Sequence, residues 1–181
     1  MKMRKNEFCI ALILLAFSLT PTTVGGFGTT SVPQQDNVKQ KRKEAVKKIE
    51  LLSKTAIHHQ TSLKSIAQIA KKATLNFDLY VHIAELASEF SYHTDPLVAI
   101  ARHASKAKVE TDYFTQLADL TVMKLSETQA FVDCALAVSQ LNTSRNVEIE
   151  KKIEELKKTI DFKTLDEAKA YNRSEMDKNV P

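Results

Sequence analysis

The sequence predicts an all-α fold, a mainly antiparallel bundle of four to six helices, and three observations carry that expectation. No glycine follows Gly28, and Pro96 is the only proline between Pro33 and Pro181, so the residues that interrupt helices are nearly missing. Apolar side chains recur at alternating steps of four and three, the spacing of a helix face. No run alternates in the manner of a strand.

The first 26 residues read as a signal peptide. Lys2, Arg4 and Lys5 form a basic start, Phe8 to Leu19 is an apolar run, and Val24 with Gly26 place small residues ahead of a cleavage before Phe27. A spanning helix needs about 20 apolar residues, and this run of twelve stops at Thr20-Pro21, which favours a removed leader over an anchor. Cys9 stands at the start of the run and not at its end, which is the wrong place for a lipoprotein cysteine. The expected location is outside the cell, or the periplasm in a bacterium. Residues 27–36 follow as a disordered leader, 37–171 as a single helical domain, and 172–181 as a flexible tail. Removal of the signal peptide leaves about 155 residues, enough for one sizeable core.

Within the domain the first seam runs through Ala45, Ile49, Leu52, Ala56, His59, Leu63, Ile66, Ala70, Ala73, Phe77, Tyr80, Ala84 and Ala87. This spacing is shared by bundles and coiled coils. A break or bend is expected at Thr74 to Asp78. The sharpest turn is expected at Ser91 to Pro96, with Asp95 capping the next helix and Pro96 at its first position. Leu97, Ile100, Ala104, Ala107, Phe114, Leu117, Leu125, Val132 and Ala135 mark one long helix or two, with Thr111-Asp112 as the interruption. Asn142-Thr143-Ser144 reads as a cap cluster, and Val147, Ile149, Ile153, Leu156 and Ile160 form the next stripe. Glu148 to Lys152 and Glu154 to Lys158 are supporting pairs at i,i+4. Thr164 with Glu167 spells a capping box for a short last helix.

Charge is uneven along the chain. Residues 36–72 carry a net +7, residues 73–141 a net −5, and residues 142–181 are balanced. One consequence is internal: a basic first helix packed beside acidic ones neutralises itself. The other is external: Lys39, Lys41, Arg42, Lys43, Lys47 and Lys48 form a contact face for an acidic glycan, a membrane surface or an acidic protein. Nucleic acid is not an expected partner of a secreted chain without zinc-ligand spacing and with few aromatic residues.

Catalytic chemistry finds little to stand on. Phosphate-cradling loops, dinucleotide fingerprints and nucleophile elbows use glycines that this region lacks. His58, His59, His82, His93 and His103 do not share a metal-site spacing, and the paired Glu-x-x-His of dinuclear carboxylate bundles is missing. The chain is therefore read as non-enzymatic, with no cofactor and no metal. His59, alone on the seam, is either buried with a partner or marks the seam's end. Cys134 is the one cysteine past the leader, so no internal disulfide forms; it packs as a small hydrophobe or links two chains in a homo-oligomer. Asn142 and Asn172 stand in the acceptor pattern for N-glycosylation.

The composition, rich in amphipathic helix and poor in glycine, tryptophan and cysteine, resembles that of exchangeable apolipoproteins and other secreted helix bundles. Two functions are expected from these readings. The first is a secreted protein that binds a protein partner or a cell surface outside the cell. The second, which the resemblance implies, is a carrier of lipid or another apolar ligand among Phe77, Tyr80, Leu97, Phe114 and Leu117.

Overall fold

A computed structural model describes residues 33–178, and the expected signal peptide lies outside the described residues. The described part is all-helical. It contains eight α-helices: α1 (Pro33–Thr55), α2 (Gln60–Lys72), α3 (Phe77–Glu89), α4 (Thr94–Ala104), α5 (Tyr113–Val122), α6 (Gln129–Ser139), α7 (Val147–Lys157) and α8 (Leu165–Lys178). Short 3₁₀ turns at Ile57–His59 and Ser91–His93 join the first two pairs that flank them. The helices are more numerous and shorter than the four to six expected. α1 takes in residues 33–36 of the expected leader, and α8 extends through the expected tail as far as Lys178.

The additional breaks occur without glycine. Ala56 leaves the helical region (φ −91°, ψ 73°), while the Thr55 hydroxyl donates to the Leu52 carbonyl at 3.0 Å and competes with the backbone ladder. Thr55, Ile57, His58 and His59 are all weak helix formers. His59 is half-buried within this turn, so it marks a break in the seam. The expected break at Thr74 to Asp78 is present, with Asn76 in the left-handed region (φ 59°, ψ 41°). Asparagine tolerates that region and β-branched residues do not. Asn76→Val should therefore be about 1–2 kcal/mol less stable than Asn76→Gly, as read from urea unfolding of the two variants. Equal stability would show that this backbone is not left-handed. A further break lies at residues 123–128, where Glu127 also has φ of 59°.

Two expected caps are displaced. α4 begins at Thr94, so Asp95 lies inside its first turn and the cap position is His93, whose side chain makes no capping bond. Pro96 is still tolerated, because the first four amides of a helix have no partner within it. The cap of α7 is Asn146, whose side chain accepts from the Ile149 amide at 3.1 Å, and Asn142-Thr143-Ser144 forms the preceding loop. The box at α8 forms: the Glu167 amide donates to Thr164 Oγ1 at 3.2 Å. The Glu167 carboxylate accepts from the Lys163 amide at 2.8 Å, one residue earlier than the usual partner.

One contiguous core runs through all eight helices. α1 packs on α2 and α3, and α4 and α5 both pack on α6. Contacts between turns align the ends. His93 Nε2 lies 2.6 Å from the Lys124 carbonyl, and the Leu125 amide donates to Asp161 at 2.8 Å, which joins three turns. A second set joins residues 105–113 to 140–146, where Thr111 donates to the Ser144 carbonyl at 3.1 Å and the Asn146 amide donates to the Tyr113 hydroxyl at 2.9 Å. This arrangement is compatible with the expected antiparallel bundle. No helix among the described residues is long and apolar enough to cross a membrane.

Candidate functional site

The basic residues of α1 divide into two groups. At about 100° per residue, Lys39, Lys43 and Lys47 fall within roughly 80° of helix arc, whereas Lys41 and Lys48 lie about 140° or more from Lys43. Ala45, Val46 and Ile49 are buried against α2 and α3, and their packing fixes this rotation. The contact face expected from the sequence is thus two groups on different sides of the helix, Lys39, Lys43 and Lys47 beside α2, and Lys41 and Lys48 turned away from them.

The first flank lines a groove of about 560 Å³ with Arg42, Val46, Glu50 and, from α2, Lys71. Lys71 pairs with Glu50 at 2.8 Å, a half-exposed bridge that closes one end of the wall. Arg42 lies over the Phe77 ring, its guanidinium carbon 5.8 Å from the centroid, in a cation–π contact. Its Nε is buried with no hydrogen-bond partner. Lys39 has a 3.9 Å contact to Asp36 on its own helix. Among the described residues no ion pair engages Lys41, Arg42, Lys43, Lys47 or Lys48, so neutralisation of α1 by the acidic helices finds no direct contact. The groove therefore presents uncompensated positive charge over a small apolar floor.

Two of the histidines, His82 and His93, bond to other elements of the fold. His82 Nε2 on α3 lies 2.7 Å from Asp119 Oδ1 on α5. The hydrogen bond to Asp119 raises its pKa against the opposing effect of burial. The charges of Asp119 and Glu85 add to the rise and Lys169 subtracts from it. Because the folded value is raised, the pair contributes stability that is full below about pH 6.5 and lost as pH rises through the folded value. NMR titration should place His82 above His59, His93 and His103, and Asp119→Asn should bring it down; an unchanged value in that variant would break the assignment. Among the described residues no serine, threonine or cysteine hydrogen-bonds the His82 ring, and no three His, Cys, Asp or Glu side chains converge as a metal site would need. His59 and His103 are both lowered chiefly by burial, with neighbouring positive groups adding to the effect.

Cys134 is fully buried on α6, and burial raises its thiol pKa. A bridge between two chains would require α6 to leave the core, so of the two expected roles the burial of Cys134 favours the small hydrophobe. The two acceptor asparagines also separate. Asn142 is exposed in the loop before α7, with its side-chain oxygen 3.4 Å from Lys108 Nζ. Asn172 is 7% exposed on α8, and its Nδ2 donates to the Glu89 carbonyl. Beside it Lys169 pairs with Glu89 at 3.0 Å, so a glycan on Asn172 would lever α8 off α3. Peptide mapping of protein from a eukaryotic host should find any glycan at Asn142 and none at Asn172. A modified Asn172 would contradict the seating of α8.

The five residues expected to enclose an apolar ligand are core residues: Phe77 is 8% exposed, and Tyr80, Leu97, Phe114 and Leu117 are fully buried. They line none of the grooves that open on α1, on α2, beside α8 or between residues 111–116 and 144–154. No protein family, curated protein or solved structure matches the chain.

Proposed function

We propose that this chain is a secreted, non-enzymatic helical-bundle protein that binds a protein partner or cell surface outside the cell, with the Lys39, Lys43 and Lys47 flank of α1 as its contact. In this reading residues 1–26 are a cleaved signal peptide, the helices form a mainly antiparallel bundle, and Asn142 carries a glycan where the host adds one. The observation that carries the reading is the groove between α1 and α2, in which Lys43 and Lys47 have no ion-pair partner among the described residues and the rotation of α1 aligns them with Lys39. Uncompensated charge of one sign gathers oppositely charged partners and speeds their capture.

The test begins with the host. The chain should appear in the medium, or in the periplasm of a bacterium, with its N-terminus at Phe27. Labelled protein should bind the host's cell surface saturably. Retention inside the cell or binding that never saturates would refute the proposal. The carrier reading has less support, since the side chains meant to hold an apolar ligand pack against one another in the core.

A further inference from the structure

The groove on α1 has a composition that narrows its partner. We propose that it holds a sulfated polysaccharide chain of the cell surface, gripped by the row Lys39, Lys43 and Lys47, with the Lys71–Glu50 pair as the facing wall. This inference rests on the reading of that flank as the contact, and specifies its ligand.

Three features of the groove favour such a ligand over a protein segment or a lipid surface. The first is the row itself. Residues four apart on a helix rise by about 6 Å, so the three lysines span roughly 12 Å along the α1 axis. A row of that length matches a linear polymer with repeated anionic groups better than a single phosphate.

The second feature is the type of cation. Four of the five basic residues are lysines, and no aromatic residue lines the groove. The energetic centres of protein interfaces are enriched in tryptophan, tyrosine and arginine, and lysine is depleted there. A lysine ammonium is a mobile point charge that suits a flexible, permanently ionised sulfate, whereas a carboxylate-bearing peptide gains most from the fixed fork of arginine. Arg42, the single fork available, is already stacked on Phe77.

The third feature is the floor. Val46 is the one apolar residue among those that line it and is only 8% exposed, so what other apolar surface it has comes from the stems of charged side chains. That surface is enough for the face of a sugar ring. A membrane surface would require large apolar side chains to insert, and Leu51, the most exposed apolar residue of α1 at 63%, lies outside the groove.

The test uses immobilised heparin and the purified protein. Wild type should bind with an affinity that falls linearly on a log–log plot against salt, with a slope of about −2, as counterion release predicts for the three lysines of the row on a flexible polyanion. K39E/K43E/K47E should lose roughly a hundredfold in affinity, at about fivefold per lysine near an anionic surface, while its circular dichroism stays that of a folded helical protein. Enzymatic removal of sulfated chains from host cells should abolish binding there. The inference is overturned if heparin is not bound. It is equally overturned if the triple variant binds as wild type, or if unsulfated polysaccharide or phosphatidylserine vesicles compete as well as heparin. Cell binding that survives removal of the sulfated chains but is lost in the triple variant would overturn the polysaccharide and leave the basic flank standing; no cell binding at all would remove both.

Discussion

Phe114→Ala is expected to lower the free energy of unfolding by about 3–5 kcal/mol, the usual cost of truncating a buried phenylalanine and leaving a cavity behind. Phe114 is fully buried in the first turn of α5, with Leu117 and Ala118 buried one turn on. The described residues hold no disulfide, and their one cysteine is free, so no covalent cross-link keeps these helices together. Domains of this size are stable by about 5–15 kcal/mol, and the variant should therefore unfold at a much lower urea concentration. Leu125→Ala is the matched control. Leu125 is 49% exposed in the turn after α5, and its loss should cost less than about 1 kcal/mol. Equal losses in the two variants would mean that the core is assigned to the wrong residues.

His93→Ala should be the next most damaging change, at about 2–3 kcal/mol, because it leaves the Lys124 carbonyl without its donor and opens a gap beside Phe90. His93 is 6% exposed, and its ring meets Phe90 edge-on with centroids 6.3 Å apart. A carbonyl only accepts, so Nε2 at 2.6 Å carries the proton. Nδ1 is buried without a partner, and a second proton there would find no acceptor. Burial accordingly lowers the His93 pKa, against a smaller opposing effect of the Lys124 carbonyl. With the folded value below the unfolded one, stability is present above about pH 6.5 and is lost as pH falls through the folded value. The alanine variant should be weaker at neutral pH and should lose the His93 contribution to that acid sensitivity. Urea unfolding at pH 7.5 and pH 5.5 reads both effects; an unchanged pH dependence would show that His93 does not titrate in this window.

Much of the fold is legible in the sequence. The seam from Ala45 to Ala87 is buried at all but Leu52, Ala56 and His59, which are half-buried around the first break. Its spacing survives because each break returns the chain to the same core, which is why periodicity alone suggests longer helices than those present. Breaks made without glycine or proline leave a faint signal: Thr55 bonding back to Leu52, or a non-glycine residue at positive φ, as at Asn76 and Glu127. Two stripe residues fail for a local reason. Leu125 sits in a turn, off the helical period, and Val147 is the first residue of α7 and 80% exposed. The candidate site is only half legible. A basic run is visible as composition, but its division into two flanks depends on which side of α1 the core claims. Lys71 and the Phe77 ring under Arg42 are far away in sequence, and no local pattern joins them to it. Tyr113 shows the same limit: its hydroxyl donates to Glu150 at 2.9 Å and accepts from the Asn146 amide, contacts formed across 33 residues or more.

The central claim is that one flank of α1, rather than basic charge in general, makes the contact outside the cell. Two charge-matched variants separate these alternatives, K43E/K47E in the groove and K41E/K48E on the opposite flank, since both have the same net charge. Their binding to the host's cell surface, measured side by side with wild type, is the most direct measurement. The account predicts that K43E/K47E loses roughly 25-fold or more in affinity, at about fivefold per lysine, while K41E/K48E stays close to wild type. Equal weakening of both, or loss confined to K41E/K48E, would contradict it.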